Sequence, residues 1–173
     1  MVLSTEPNQT FDLLIEQIMT AAHHGLELIA IGMAVSLPHY CSAMSNEDGR
    51  STGQDFKEWC RENLAEGFLS HITPEHLYSF RCGMAHQGRL GDLPHDMTRI
   101  IFVPKNSGQG IAGKVGDAYF YGVVEFCGAL CEAARDWHQS SKDNEIVRQN
   151  ETRFMQRHNN GLLPYTRGFA VIA

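Results

Sequence analysis

The chain has 173 residues and a formal net charge of -6, with 43% of its residues apolar and 20% charged. That length suits one domain with a buried core, and the composition excludes a disordered or collagen-like chain. The acidic balance argues against a broad basic surface of the kind that wraps a nucleic-acid backbone, while leaving room for a small local site.

In chain order, residues 1–9 read as a frayed lead-in, with Thr10 placed to cap a first helix over residues 11 to about 35. Phe11, Leu14, Ile18, Ala22, Ile29 and Met33 keep the spacing of one helical face. Leu13, Ile15, Leu26, Leu28 and Ile31 make other sides apolar too, so this helix is expected to be central and to end at Pro38. Residues 45–53 are a polar loop. A second helix is expected over residues 54–69, with Phe56, Cys60, Leu64 and Phe68 inward and Trp59 beside them. A third is framed by Thr73 as cap, Pro74 at its first position and Gly88 as stop.

Residues 88–117 are rich in glycine. Within them Arg99-Ile100-Ile101-Phe102-Val103 reads as a short strand ended by Pro104, and residues 105–116 as a mobile loop. Gly108, Gly110, Gly113 and Gly116 lack the Gly-Lys-Ser/Thr ending of a phosphate-cradling loop. A fourth helix is expected over residues 117–139, with Phe120, Val123, Cys127, Leu130, Ala134 and Trp137 on its apolar face. A fifth, more polar helix follows over residues 144–158, and residues 169–173 read as a short strand that could pair with residues 99–103. The expected fold is therefore all-α, a helical bundle of about five helices with a small β addition. It forms a single domain over residues 1–173, with its core at about 10–158.

Five cysteines without a close-spaced framework fit free thiols in a reducing cytoplasm. Cys127 and Cys131, four apart, read as small buried thiols rather than half of a metal site. His23 and His24 are adjacent and cannot share a helical face, and His71 and His76 read as surface residues. No metal or other cofactor is expected. The start of the chain lacks a basic region followed by an apolar stretch, so no secretory leader is expected. The longest nearly apolar run, residues 26–37, is too short to span a bilayer, so no membrane partner is expected either.

The third helix is the most informative segment. Leu77, Phe80 and Met84 point to the core, Arg81 borders that stripe, and His86 points nearly the other way. Tyr78, Cys82 and Ala85 lie between Arg81 and His86 as a second, uncharged face. A lone surface helix has no need of such a face, so another helix should pack there, from the same chain or from a second copy. Arg offers a fixed cationic fork suited to phosphate, and His titrates near neutrality. Together they can activate a hydroxyl and stabilise phosphoryl charge without a metal.

The stretch Tyr78-Ser79-Phe80-Arg81-Cys82-Gly83-Met84-Ala85-His86-Gln87-Gly88 resembles the signature of the HEPN superfamily: an Arg, four to six residues, then a His, late in a helix of an α-helical bundle. Many members are metal-independent RNases of toxin–antitoxin, phage-defence or RNA-processing systems. They act as dimers whose motif residues line one cleft. The resemblance implies a homodimeric endoribonuclease with Arg81 and His86 as catalytic residues, and an RNA or nucleotide as ligand. An antitoxin protein is a further implied partner. Tyr78, Cys82 and Arg89 are the candidate substrate-binding residues. Active members commonly carry a polar residue, often Asn, after the Arg. Here it is Cys82, a weaker hydrogen-bonding group. The alternative is a non-catalytic dimeric helical module that binds a nucleotide or protein. In the plainest reading Arg81 pairs with an acidic neighbour, His86 is a helix C-terminal cation and Arg89 a solvated charge. A helix-turn-helix DNA reader is disfavoured because no short basic recognition helix is visible.

Overall fold

The computed structural model describes residues 8–90, 99–107 and 112–173. The expected lead-in at residues 1–9 thus lies largely outside the described residues, as do Gly108 and Gly110. The chain is mostly helical, with two small sheets. In order it forms α1 (Asn8–His23), α2 (Glu27–Ala34), α3 (Leu37–Ser45), α4 (Gly53–Asn63) and α5 (Pro74–Gln87). Then come β1 (Arg99–Val103), β2 (Ala112–Val115), β3 (Ala118–Gly122), α6 (Val123–Ser141) and α7 (Glu145–Glu151). A two-residue pair, β4 (Arg157–His158) and β5 (Val171–Ile172), closes the fold.

The single long first helix of the sequence reading is three helices. Thr10 lies inside α1 rather than before it. Gly25 adopts φ +76°, a conformation that costs a residue with a Cβ, and the helix breaks there. The break resets the helical register. Ala30, Ile31, Ala34 and Val35 become the buried face, and Ile29, expected inside, is 60% exposed. Leu28 is likewise turned out to solvent. A second bend at Val35 and Ser36 precedes Pro38, which starts α3 instead of ending a helix. At the first turn of a helix a proline sacrifices no hydrogen bond. The stretch Glu27–Ser45 is long and apolar enough in composition to cross a membrane, which the shorter apolar run did not suggest, but half of it is buried inside the fold.

α4 begins with a capping box: the Thr52 hydroxyl accepts from Asp55 N–H, and the Asp55 carboxylate accepts from Thr52 N–H. It buries Phe56, Trp59 and Cys60 as expected, but stops at Asn63, six residues before the expected end, and Gly67 turns the chain at φ +88°. α6 is the central helix. Phe126, Cys127, Leu130, Cys131 and Ala134 are buried along it, and α1, α2 and α3 pack around it. Burial pushes the Cys127 and Cys131 thiols up to about 12, which fits inert packing groups rather than ligands.

The start expected for the fourth helix is instead strand. Ala118-Tyr119-Phe120-Tyr121-Gly122 is an aromatic run that suits a buried strand better than a helix. β3 lies between its partners in the order β1-β3-β2, parallel to β1 and antiparallel to β2. β2 falls in the segment expected to be loop. The expected strand at residues 99–103 is present. The C-terminal strand does not join it: β5 pairs antiparallel with β4, His158 opposite Val171. The reason is proximity along the chain. The fifth helix, α7, ends at Glu151 instead of residue 158, and this frees β4 to receive the tail.

His76, expected at the surface, is 5% exposed, and its Nδ1 is 2.9 Å from the Tyr119 hydroxyl. This bond ties α5 to the central strand β3. Tyr119→Phe removes it at constant shape and should cost about 1–2 kcal/mol, the range for a lost buried hydrogen bond. Urea denaturation would check this, and a change below a few tenths would show that the bond contributes nothing net.

Candidate functional site

α5 forms where its caps dictate. The Thr73 hydroxyl accepts from His76 N–H at 3.2 Å, and Pro74 occupies the first turn. At the far end Gly88 sits in the left-handed region at φ +64°, and the Gly83 carbonyl accepts from Gly88 N–H and Arg89 N–H. Leu77 and Phe80 are fully buried, with Phe80 against Phe102 and Phe126 at ring distances of 5.7 and 6.5 Å. Met84, one turn later, is half-buried beside Gly32 of α2.

The second face of α5 is covered by the same chain. Tyr78 packs on Phe56 of α4 and His39 of α3, at ring distances of 5.4 and 6.0 Å. Lys57 Nζ lies 5.9 Å from its ring centroid. A Cβ on Gly53 would come within 2.5 Å of the Tyr78 ring and hydroxyl, so Gly53 is what lets α4 approach. Gly53→Ala should therefore displace Tyr78 and cost about 1–3 kcal/mol, as overpacking does. Thermal unfolding would register this, and an unchanged melting temperature would mean that Tyr78 moves aside freely. A hydrogen-bonding interaction with the Cys82 thiol is the main influence that holds the Tyr78 hydroxyl above its usual range, with burial second. Tyr78 and Cys82 lie one turn apart on the same face of α5. Ala85 and His86 are exposed in the last turn.

Arg81 is half-buried. Its Nε is shielded from solvent, and its side chain has no hydrogen bond or ion pair among the described residues. The acidic partner of the plain reading is therefore missing from the described residues. His86 lies five residues on, about 140° around the axis and roughly 7.5 Å along it. A single helix thus does not bring Arg81 and His86 to one point. Arg89 is exposed in the turn after Gly88.

What the structure does bring to Arg81 is His39, which no sequence pattern singled out. It is 42 positions away and adjoins the proline expected to end a helix. Its ring rests on Phe56 at 5.0 Å and on Tyr78. Its Nδ1 is 2.8 Å from Ser51 Oγ, which is 2.6 Å from Ser42 Oγ. Burial first, then the Arg81 charge, lower the His39 pKa to about 4, against a weaker opposing influence from Asp55. Asp55 itself is held below the usual carboxylate range by hydrogen bonds from Thr52. The resulting patch on α3, the 46–52 loop, α4 and α5 offers one unpaired guanidinium and one neutral imidazole.

Among the described residues no three His, Cys, Asp or Glu side chains group as a metal site. Comparison with protein families, curated proteins and solved structures gave no match.

Proposed function

We propose that this chain is a HEPN-like, metal-independent endoribonuclease of the cytoplasm, built on a helical bundle and active as a homodimer. Arg81 stabilises the charge that develops on the phosphoryl group, and His86 takes part in proton transfer. The 2′-hydroxyl attacks the adjacent phosphorus, leaving a 2′,3′-cyclic phosphate and a 5′-hydroxyl. A toxin or phage-defence setting, with an antitoxin protein as partner, goes with this reading. The observation that carries it is the state of Arg81: a half-buried guanidinium with no protein anion among the described residues suits an anionic ligand.

Because Arg81 and His86 diverge on one helix, this reading has His86 reach the site from the second copy of a dimer. Ala85 and His86, exposed in the last turn of α5, are the part of the second face left for a partner. A second reading, a non-catalytic dimeric module that binds a nucleotide or protein, is favoured by the acidic balance of the chain and by Cys82, a weak hydrogen-bonding group, after the motif Arg. The deciding experiment is cleavage of a mixed-sequence RNA by wild type and by Arg81→Ala and His86→Ala, with light scattering for the oligomeric state. A monomer at micromolar concentration would remove the dimeric site, and wild type without cleavage would leave the binding module.

A further inference from the structure

The environment of His39 points to a role that the Arg81–His86 motif does not contain. Its proton positions follow from the hydroxyls beside it. Ser42 Oγ donates its one proton to the Pro38 carbonyl at 2.7 Å. Ser51 Oγ lies 2.6 Å from Ser42 Oγ, a contact that either hydroxyl can donate, and 3.3 Å from the Thr52 carbonyl, to which it can also donate. Donation by Ser51 to either of these acceptors leaves its oxygen to accept from His39, the arrangement in which Nδ1 carries the hydrogen and Nε2 the lone pair. Nε2 has no hydrogen-bond partner among the described residues. In that arrangement a basic nitrogen is left on the ring that packs against Tyr78, three residues before Arg81 in α5, and the Arg81 charge acts on it.

We propose that His39 Nε2 is the general base of the site, working beside Arg81 of the same chain, with Ser51 as its positioning residue. The proposal rests on the ribonuclease reading and divides the proton work within it. His39 accepts the proton of the ribose 2′-hydroxyl as the 2′-oxygen bonds to phosphorus. The bond from phosphorus to the 5′-oxygen breaks, and that oxygen takes a proton from the imidazolium of His86 of the second copy. One proton enters at His39 and one leaves at His86, so the step balances without a further reactant.

Several groups face His39. Ser51 from the 46–52 loop, Phe56 from α4 and Tyr78 from α5 lie against its ring, and the charges of Asp55 and Arg81 act on it. Of these, Arg81 lowers the imidazole pKa and Asp55 raises it. The Asp55 carboxylate accepts from Thr52 N–H and hydroxyl, both at 2.7 Å, so it stays charged. A neutral imidazole is therefore available to accept a proton well below pH 6, the opposite of what an ordinary exposed histidine would give.

The test is the pH profile of kcat/KM for RNA cleavage by the full chain, since its acidic limb reports the base of the free enzyme. The limb should fall near pH 4, the value the environment of His39 sets. In residual activity of Arg81→Gln it should move upward, because the cation that disfavours imidazolium is gone. His39→Gln should lose on the order of a hundredfold or more in rate. Ser51→Ala should lose less and keep the fold by circular dichroism. Nitrogen-15 spectra of His39 should show hydrogen on Nδ1 at neutral pH, a readout that needs no activity. Wild-type cleavage with an unaltered His39→Gln rate, a limb near pH 6.5 that ignores Arg81, or hydrogen on Nε2 would each overturn the proposal while leaving the ribonuclease reading. Wild type that cleaves nothing overturns both.

Discussion

Arg81→Ala and His86→Ala are each expected to lower RNA cleavage by on the order of 10²–10⁴, the contribution of a positioned proton-transfer group or an oriented charge stabiliser. Neither substitution should unfold the chain. His86 is exposed, and Arg81 makes no hydrogen bond or ion pair among the described residues that its loss would break. Chelator should not change the rate, because the chemistry proposed moves protons between histidines and the ribose. The two variants should also complement each other. Each single mutant lacks one side of every site, but a mixed dimer rebuilds one intact site from Arg81 of one chain and His86 of the other. Cleavage by wild type and both variants on a labelled RNA, alone and mixed, gives the answer. Full activity in either single variant, or activity that disappears in chelator, would remove this mechanism.

The second large effect concerns stability. His138 of α6 and Glu151 of α7 are each 6% exposed, and Nε2 of the one hydrogen-bonds with Oε1 of the other. The Phe11 ring lies 4.8 Å from the imidazole and closes the site from α1. His138→Ala takes away one partner of a buried carboxyl and leaves a gap under Phe11. Breaking a buried pair from one side costs about 3–5 kcal/mol, more than its formation contributes net, because the remaining group stays desolvated. His138→Gln keeps a donor and most of the volume, and should retain much of the lost stability. Urea midpoints for the two variants would establish the difference. A loss under about 1 kcal/mol for His138→Ala would mean that the other contacts of Glu151, or water, satisfy its carboxyl.

The elements that could be read from the sequence are those whose ends are chemically marked. α5 lies where Thr73, Pro74 and Gly88 put it, and β1 lies where a β-branched run meets Pro104. α4 starts at its capping box for the same reason. What stayed hidden was set by tertiary context. Gly25 breaks an unbroken apolar pattern through its backbone conformation, which changes the inward face and so the fate of Ile29. The strand at Ala118–Gly122 runs without a loop into an amphipathic helix, and its aromatic residues fit the helical spacing as well as the strand. His76 looks like a surface histidine until its partner Tyr119, 43 residues away, is in place. The candidate site divided the same way. Arg81 and His86 could be named from their spacing, whereas His39 meets Ser51 and Tyr78, and comes under the Arg81 charge, only once α3, the 46–52 loop and α5 have packed.

The absence of a loop between β3 and α6 has a mechanical consequence. Gly122 is at once the last residue of the strand and the cap of the helix, so strand and helix act as one strut. Both walls of the site hang from it. α3, which carries His39, packs on the α6 part, and α5, which carries Arg81, is pinned to the β3 part by His76 and Tyr119. The spacing between imidazole and guanidinium is therefore set during folding, before any ligand arrives. On the proposed function, the phosphate of an RNA bound beside them would meet groups already in place, and little ordering entropy would be spent in assembling its seat.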